Sequence, residues 1–353
     1  MLNTSLIRSV VTLLCFAFTT QLFGQSCANY TVSRTTGITY SSISGSSPDY
    51  FIWRNTTINQ NDDNRTFQVP IGFDFWYLGV RYTQFSGNLN GIIDFSSSTG
   101  DGNNQSEYGP GYGGQFSSGG VGAGSLLALA PLYDDLWTAG SGTTPIATSC
   151  FYKTTGSAPN RVLTVEWLNF DEFNSSTGSL NFQIKIYEGT GVIEFEYGTM
   201  TLGSVAPTYG CGINNTWPTG APTAAQLLTQ QTANTATFSN AAQNSLGTLP
   251  ASNTRLTFTP PTPSAAPTTL SFTSISSSGM TLNWTDNATN EVGYSVYYSE
   301  DGTNYDFFSQ TAANSTSAAV TGLQPSTTYY YKIMAVTDGG MSSELTGSQI
   351  TNS

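Results

Sequence analysis

Any chemistry in this 353-residue chain has to come from carboxylates, because it contains no histidine. That removes Ser-His-Asp and Cys-His nucleophilic engines and His-ligated zinc. The dense acidic pairs are Asp134-Asp135, Asp171-Glu172 and Glu194 with Glu196. Two carboxyls about 5–10 Å apart across a sugar could cleave a glycosidic bond. Glu194 and Glu196, two apart on one strand, would point the same way with a spacing of about 6–7 Å. On the polar face of a half-buried sheet, however, solvated acids are the ordinary finding, and we adopt that reading. No catalytic residue is assigned.

Hard-cation binding suits the same residue types better. Calcium takes clustered oxygens from Asp, Asn and backbone carbonyls, and such clusters occur at residues 59–64 and 101–107. The candidate ligands are Asp101, Asn103, Asp134 and Asp135. Neither cluster matches an EF-hand, and Asn, Asp and Gly are first of all turn formers. No other cofactor is expected. The Gly-rich stretch 98–124 lacks Gly-Lys-Ser/Thr and is not a phosphate loop. Its Tyr108, Tyr112 and Phe116, with Trp137 and Trp217, could stack on sugar rings or simply fold onto a sheet.

The charge balance narrows the partners. Ten Lys and Arg stand against 22 Asp and Glu, a formal charge of −12, so nucleic acid and anionic membranes are poor partners. Arg8, the apolar run Val10 to Phe18 and the small residue Gly24 read as a secretory signal peptide over residues 1–24. No apolar run reaches the ~20 residues of a membrane span. Cys27, Cys150 and Cys211 remain after cleavage. In an oxidising compartment an odd number implies at most one internal bridge. We expect Cys211 to pair with Cys27 or Cys150. A lipidated Cys27 is the sharper alternative, which Gly24 disfavours where a lipobox wants Leu.

The elements that must carry these residues are strands. Leu163, Val165 and Trp167 alternate with Thr164 and Glu166. The same alternation runs from Leu180 to Ile186 and from Ile193 to Tyr197, predicting an antiparallel meander with one apolar and one polar face. Further strands are predicted around Phe73, Val80–Phe85, Ile92–Phe95, Cys150–Thr154 and Arg255–Phe258, and one short helix over Ala224–Gln231. The Pro-rich stretch 260–267 reads as a semi-rigid linker. It separates an N-terminal β-sandwich of jelly-roll type (25–259) from a second unit (268–353), each expected to fold independently.

In that second unit, a Pro-rich entry, Trp284, Gly322-Leu323-x-Pro325-x-Thr327-x-Tyr329 and Tyr331 resemble a fibronectin type III domain over about 267–350. The resemblance implies an immunoglobulin-like sandwich with Trp284 in the core and Tyr329 as its tyrosine corner. Val69-Pro70-Ile-Gly-Phe73, Asn88-Leu-Asn90-Gly91 and Leu129-Ala130-Pro131 with Asp134-Asp135 resemble, at block level, the nidogen-like domain of secreted adhesive proteins. That resemblance implies an extracellular interaction module and transfers no catalytic residue. The chain stops within a few residues of the last expected strand, so no separate anchoring domain is expected.

The expectation is an all-β, two-domain, non-enzymatic binding or adhesion protein, secreted or on the cell surface. Its expected partner is an extracellular glycan or surface protein, with no nucleic acid and no transmembrane segment. A carbohydrate-binding module, or a polysaccharide-cleaving jelly-roll using paired carboxylates, is the alternative.

Overall fold

The computed structural model describes residues 27–53, 64–95, 127–138, 150–173, 175, 177–205, 209–214, 225–228, 238–239 and 248–353. The signal segment, Cys15, Asp101, Asn103, the Gly-rich stretch and Trp217 lie outside them. Among the described residues every regular element is a strand, apart from one 3-10 turn at Cys27–Asn29.

Two antiparallel sheets form the first domain. The larger runs Thr31–Thr36, Thr254–Thr259, Ile193–Thr201, Ser179–Tyr187, Val162–Glu172, Cys150–Thr155 and Asp49–Tyr50, with Leu136–Thr138 also paired to Val162–Glu172. The smaller runs Phe238–Ser239, Ala225–Leu228, Gly210–Asn214, Ala128–Tyr133, Ile93–Asp94, Val80–Gly87 and Val69–Tyr77. Leu163, Val165, Trp167, Phe182, Ile184 and Phe195 of the first sheet share one core with Phe75, Phe85, Ile93, Leu129 and Ile213 of the second. The predicted meander is present with short turns, because its period-2 apolar residues have one core to fill.

Two expectations are corrected. Within the stretch Ala224–Gln231 expected to be helical, the described residues form the strand Ala225–Leu228, paired with Gly210–Asn214 in the register Gly212↔Leu227. A neighbouring strand edge offers its backbone partners that local propensity does not count. The polar face of the meander is not solvated either: Glu166, Gln183, Glu194 and Glu196 are all buried. Residues 38–48 cross that face, and Tyr40 fills the space a Cβ on Gly198 would need. Tyr40 Oη, Ser42 Oγ, the Ile43 amide and Gln183 Nε2 all donate to Glu166, at 2.7, 2.9, 2.9 and 3.1 Å. Glu196 accepts from Lys185 Nζ at 2.6 Å and from Arg255 Nε at 2.8 Å.

The meander also carries a bulge. Trp167 pairs with Phe182 and Phe170 with Leu180, so Val162–Glu172 has one extra residue there. Asn169 sits at φ 60° within it, its amide held by Asn181 Oδ1 at 2.8 Å. An added residue reverses which side chains face inward. Leu163, Val165 and Trp167 face the core before it, and Phe170 after it.

The second domain is a sandwich of a three-stranded sheet (Thr268–Thr273, Gly279–Thr285, Ser317–Thr321) on a four-stranded one (Asp306–Gln310, Gly293–Ser299, Thr328–Val336, Leu345–Ile350). Trp284 is packed in its core against Tyr294. Tyr329 Oη accepts the Gln324 amide at 3.0 Å and donates to Glu300 at 3.1 Å.

Candidate functional site

The two domains do not hang from a free linker. Pro260 packs beside Gly191 and Gly339, and Thr337 Oγ1 donates to the Pro261 carbonyl. The hairpin turn at Leu78-Gly79 reaches across: the Gly79 amide donates to Asp338 O at 3.0 Å and Gln310 Nε2 to Gly79 O at 2.8 Å. From the other side Asn29 Nδ2 donates to Asp338 Oδ2 at 2.5 Å. The edge strands Val69–Tyr77 and Asp306–Gln310 are brought together here, with Trp76 edge-on to Phe307 at 6.1 Å. Each edge is thereby shielded from pairing with another chain.

A groove of about 1460 Å³ runs along this joint and is lined by both domains. Its three basic residues share one arrangement, each paired with a carboxylate and set against a ring. Arg81 binds Asp74 at 2.7 Å and lies 4.5 Å above Phe307. Arg161 holds Glu188 through Nε at 2.8 Å and Nη2 at 2.5 Å, 5.7 Å from Phe73. Lys332 binds Glu344 at 2.9 Å and sits 4.2 Å over Tyr305. Tyr297 closes the joint by donating to Asp74 Oδ2 at 3.0 Å. Burial, and then the Asp74 charge, hold its hydroxyl well above the ordinary phenol range. The Glu188 hydrogen bonds raise the Arg161 guanidinium further above its ordinary value. With Asp306 as a fourth acid, the lining carries one more carboxylate than cations.

A second acidic region lies at the end of the first domain. Asp134 follows the strand Ala128–Tyr133 and is buried, with its Oδ1 accepting the Asp135 amide at 2.9 Å. Asp171 is fully buried, accepting from the Glu172 amide at 2.9 Å and the Gly178 amide at 2.8 Å. Only glycine fits at 178, since a Cβ there would overlap Asp171 Oδ1. Glu172 is 5% exposed, and neither of its oxygens has a hydrogen-bond partner. Burial, then the charges of Asp134 and Asp171, push its carboxyl up to about 7.

The profile of the NIDO-related family matches residues 29–260. The chain belongs to this family. In this NIDO-related protein residues 265–349 match the fibronectin type III domain, so the proline-rich stretch falls at the boundary. No curated protein matches the sequence. Among solved structures, the crystal structure of FN3tt is similar at 26% identity, over 26% of this chain and 98% of that one, with a TM-score of 0.24. The solution structures of the fn3 domain of human contactin 1 are similar at 22% identity, over 26% and 81%, with a TM-score of 0.24. The FN3 domain of human collagen XX is similar at 22% identity, over 24% and 88%, with a TM-score of 0.22.

Of the expected cation ligands, Asp134 and Asp135 lie among the described residues of the NIDO-related domain. Asp134 and Asp135 form the turn before Leu136–Thr138, and the Phe173 amide donates to Asp135 O at 2.8 Å. Among the described residues no three Asp, Glu or Cys side chains form a ready metal cluster. No disulfide joins Cys211 to Cys27 or Cys150. All three are buried, and Cys211 Sγ lies 3.3 Å from Tyr197 Oη. Burial and the Glu166 charge push the Cys150 thiol well above its ordinary range. Cys27 is packed into the core. Trp137 is partly exposed: its Nε1 donates to Ser175 O at 2.9 Å, with Phe173 edge-on at 5.6 Å.

Sequence reasoning missed Arg81, Arg161 and Lys332. One signal was available. The chain has only ten basic residues, and in so acidic a protein each can be asked which carboxylate holds it.

Proposed function

We propose that this NIDO-related protein is an extracellular, non-catalytic adhesion-type protein whose ligand lies in the groove between its two domains. The observation carrying this reading is the groove itself: about 1460 Å³, lined by residues of both domains, with charged groups held in pairs against rings. Concave sites at domain interfaces are where ligands are usually held. The ligand class is an extracellular glycan or surface protein. Three cations already neutralised and an excess carboxylate give a polyanion such as nucleic acid nothing to displace.

Binding rather than catalysis is supported by the same pairs. A general acid needs a carboxyl that keeps its proton near neutral pH. Asp74, Glu188 and Glu344 each hold a cation instead. Glu172, whose carboxyl is raised, does not line this groove. Among the described residues no helix is long and apolar enough to cross a membrane.

The test is binding of the full secreted chain to arrays of glycans and matrix proteins, alongside Tyr305→Ala and a groove-filling Thr190→Trp. A ligand bound by the wild type and weakened at least about tenfold by both variants supports the groove, a loss of 1.4 kcal/mol or more. A ligand bound equally by all three proteins places recognition elsewhere.

A further inference from the structure

The bulge at Asn169 decides where Glu172 goes. Before it, even-numbered residues of Val162–Glu172 such as Glu166 lie on the outer, covered face. After it Phe170 enters the core, and Glu172 falls on the same side as Phe170. Its carboxyl is therefore carried inward at the end of the sandwich, where Asp134 arrives from the opposite sheet. A carboxylate there accepts no hydrogen bond, is almost closed to water and has two acids for neighbours. Burying a charge on those terms is costly unless something positive joins it.

We propose that Glu172 and Asp134 together bind a divalent cation of the calcium type. The sequence pairs Asp134 with its neighbour Asp135, whereas the fold supplies Glu172 from 38 positions further along the chain. The donor set is oxygen only, which selects a hard cation over zinc or copper. Asp171 serves as a positioning group, its two oxygens accepting the Glu172 and Gly178 amides. It adds negative charge and fixes the backbone that carries Glu172. Two side-chain carboxylates, with backbone oxygens and water completing the shell, suit the weak class of extracellular calcium modules, with Kd of roughly 0.1–1 mM.

The experiment uses the full chain, stripped with chelator and dialysed into calcium-free buffer. Calcium chloride is then titrated by calorimetry and by thermal melting, with magnesium chloride in parallel. The expected result is one saturable calcium site and a melting temperature that climbs with calcium. Glu172→Gln should remain folded in chelator, having lost a charge and kept its shape, while binding calcium at least about tenfold more weakly. Asp134→Asn should weaken calcium binding as well. No heat and no shift in the wild type overturns the proposal. So does an equal calcium response in wild type and Glu172→Gln. Stability that falls with rising pH in chelator and is not restored by calcium also overturns it, because a proton then occupies the place assigned to the cation.

Discussion

Glu166 and Glu172 stand six positions apart on one strand, and both are nearly closed to water. Glu166 collects four donors from residues 40–43 and Gln183, while Glu172 collects none. Glu194 and Glu196 side with Glu166, held by Tyr187, Lys185 and Arg255. The difference teaches that burial of an acid carries no functional message by itself. What matters is whether the fold that buried it also answered its charge. The outer face of the meander does so and is structural. Beside Asp134 and Asp171, Glu172 receives no donor, and that is why a cation is assigned there.

Three substitutions test this contrast, beginning with the largest effect. Glu196→Ala strips Lys185 and Arg255 of their shared acceptor, so unfolding by urea should show a loss of about 3 kcal/mol. Both cations are partly open to solvent, which places the effect at the lower end for a broken buried pair. A loss below about 1 kcal/mol would mean these pairs are ornamental and the contrast fails.

Glu172→Gln should act in the opposite direction. In chelator at pH 7 it should leave stability unchanged or raise it by about 2 kcal/mol, because an unanswered charge is removed. The sign with pH follows from a folded carboxyl raised to about 7 above its ordinary 4.5. Such a group contributes stability that is full below about 4.5 and is lost as pH rises through about 7. Chelated wild type should therefore weaken over that window, and the variant's profile should be flatter there. A destabilised variant with the wild-type pH profile would show that Glu172 has a partner after all.

Tyr40→Phe is the mildest case. It deletes one of four donors to Glu166, so chemical denaturation should register a loss of about 1 kcal/mol. A loss of several kcal/mol would mean that residues 38–48 peel away with that hydroxyl, making the covered face far less secure than the contrast supposes.

Much of the molecule was legible beforehand. Period-2 alternation marked the meander because one set of side chains must reach a common core. Gly322-Leu323 through Tyr331 marked the second sandwich because its corner needs those residues locally. Ala225–Leu228 was misread because four residues that can be either helix or strand take the state their neighbour's edge offers. The groove was invisible, since residues near 70–83, 158–190 and 297–344 meet only when the two domains dock.

The amino-acid sequence on its own determined the all-β class, the boundary near residue 260, the absence of histidine chemistry and the acidic character. Each of these is a property of composition or of short-range pattern. Only the tertiary structure decided which acids are answered. Whether a strand's polar face meets water, a crossing segment or another sheet depends on chain distant in sequence. One extra residue at Asn169 is enough to send Glu166 and Glu172 to different surroundings. Alternation records that two faces exist, but the partner that covers each face is set by packing.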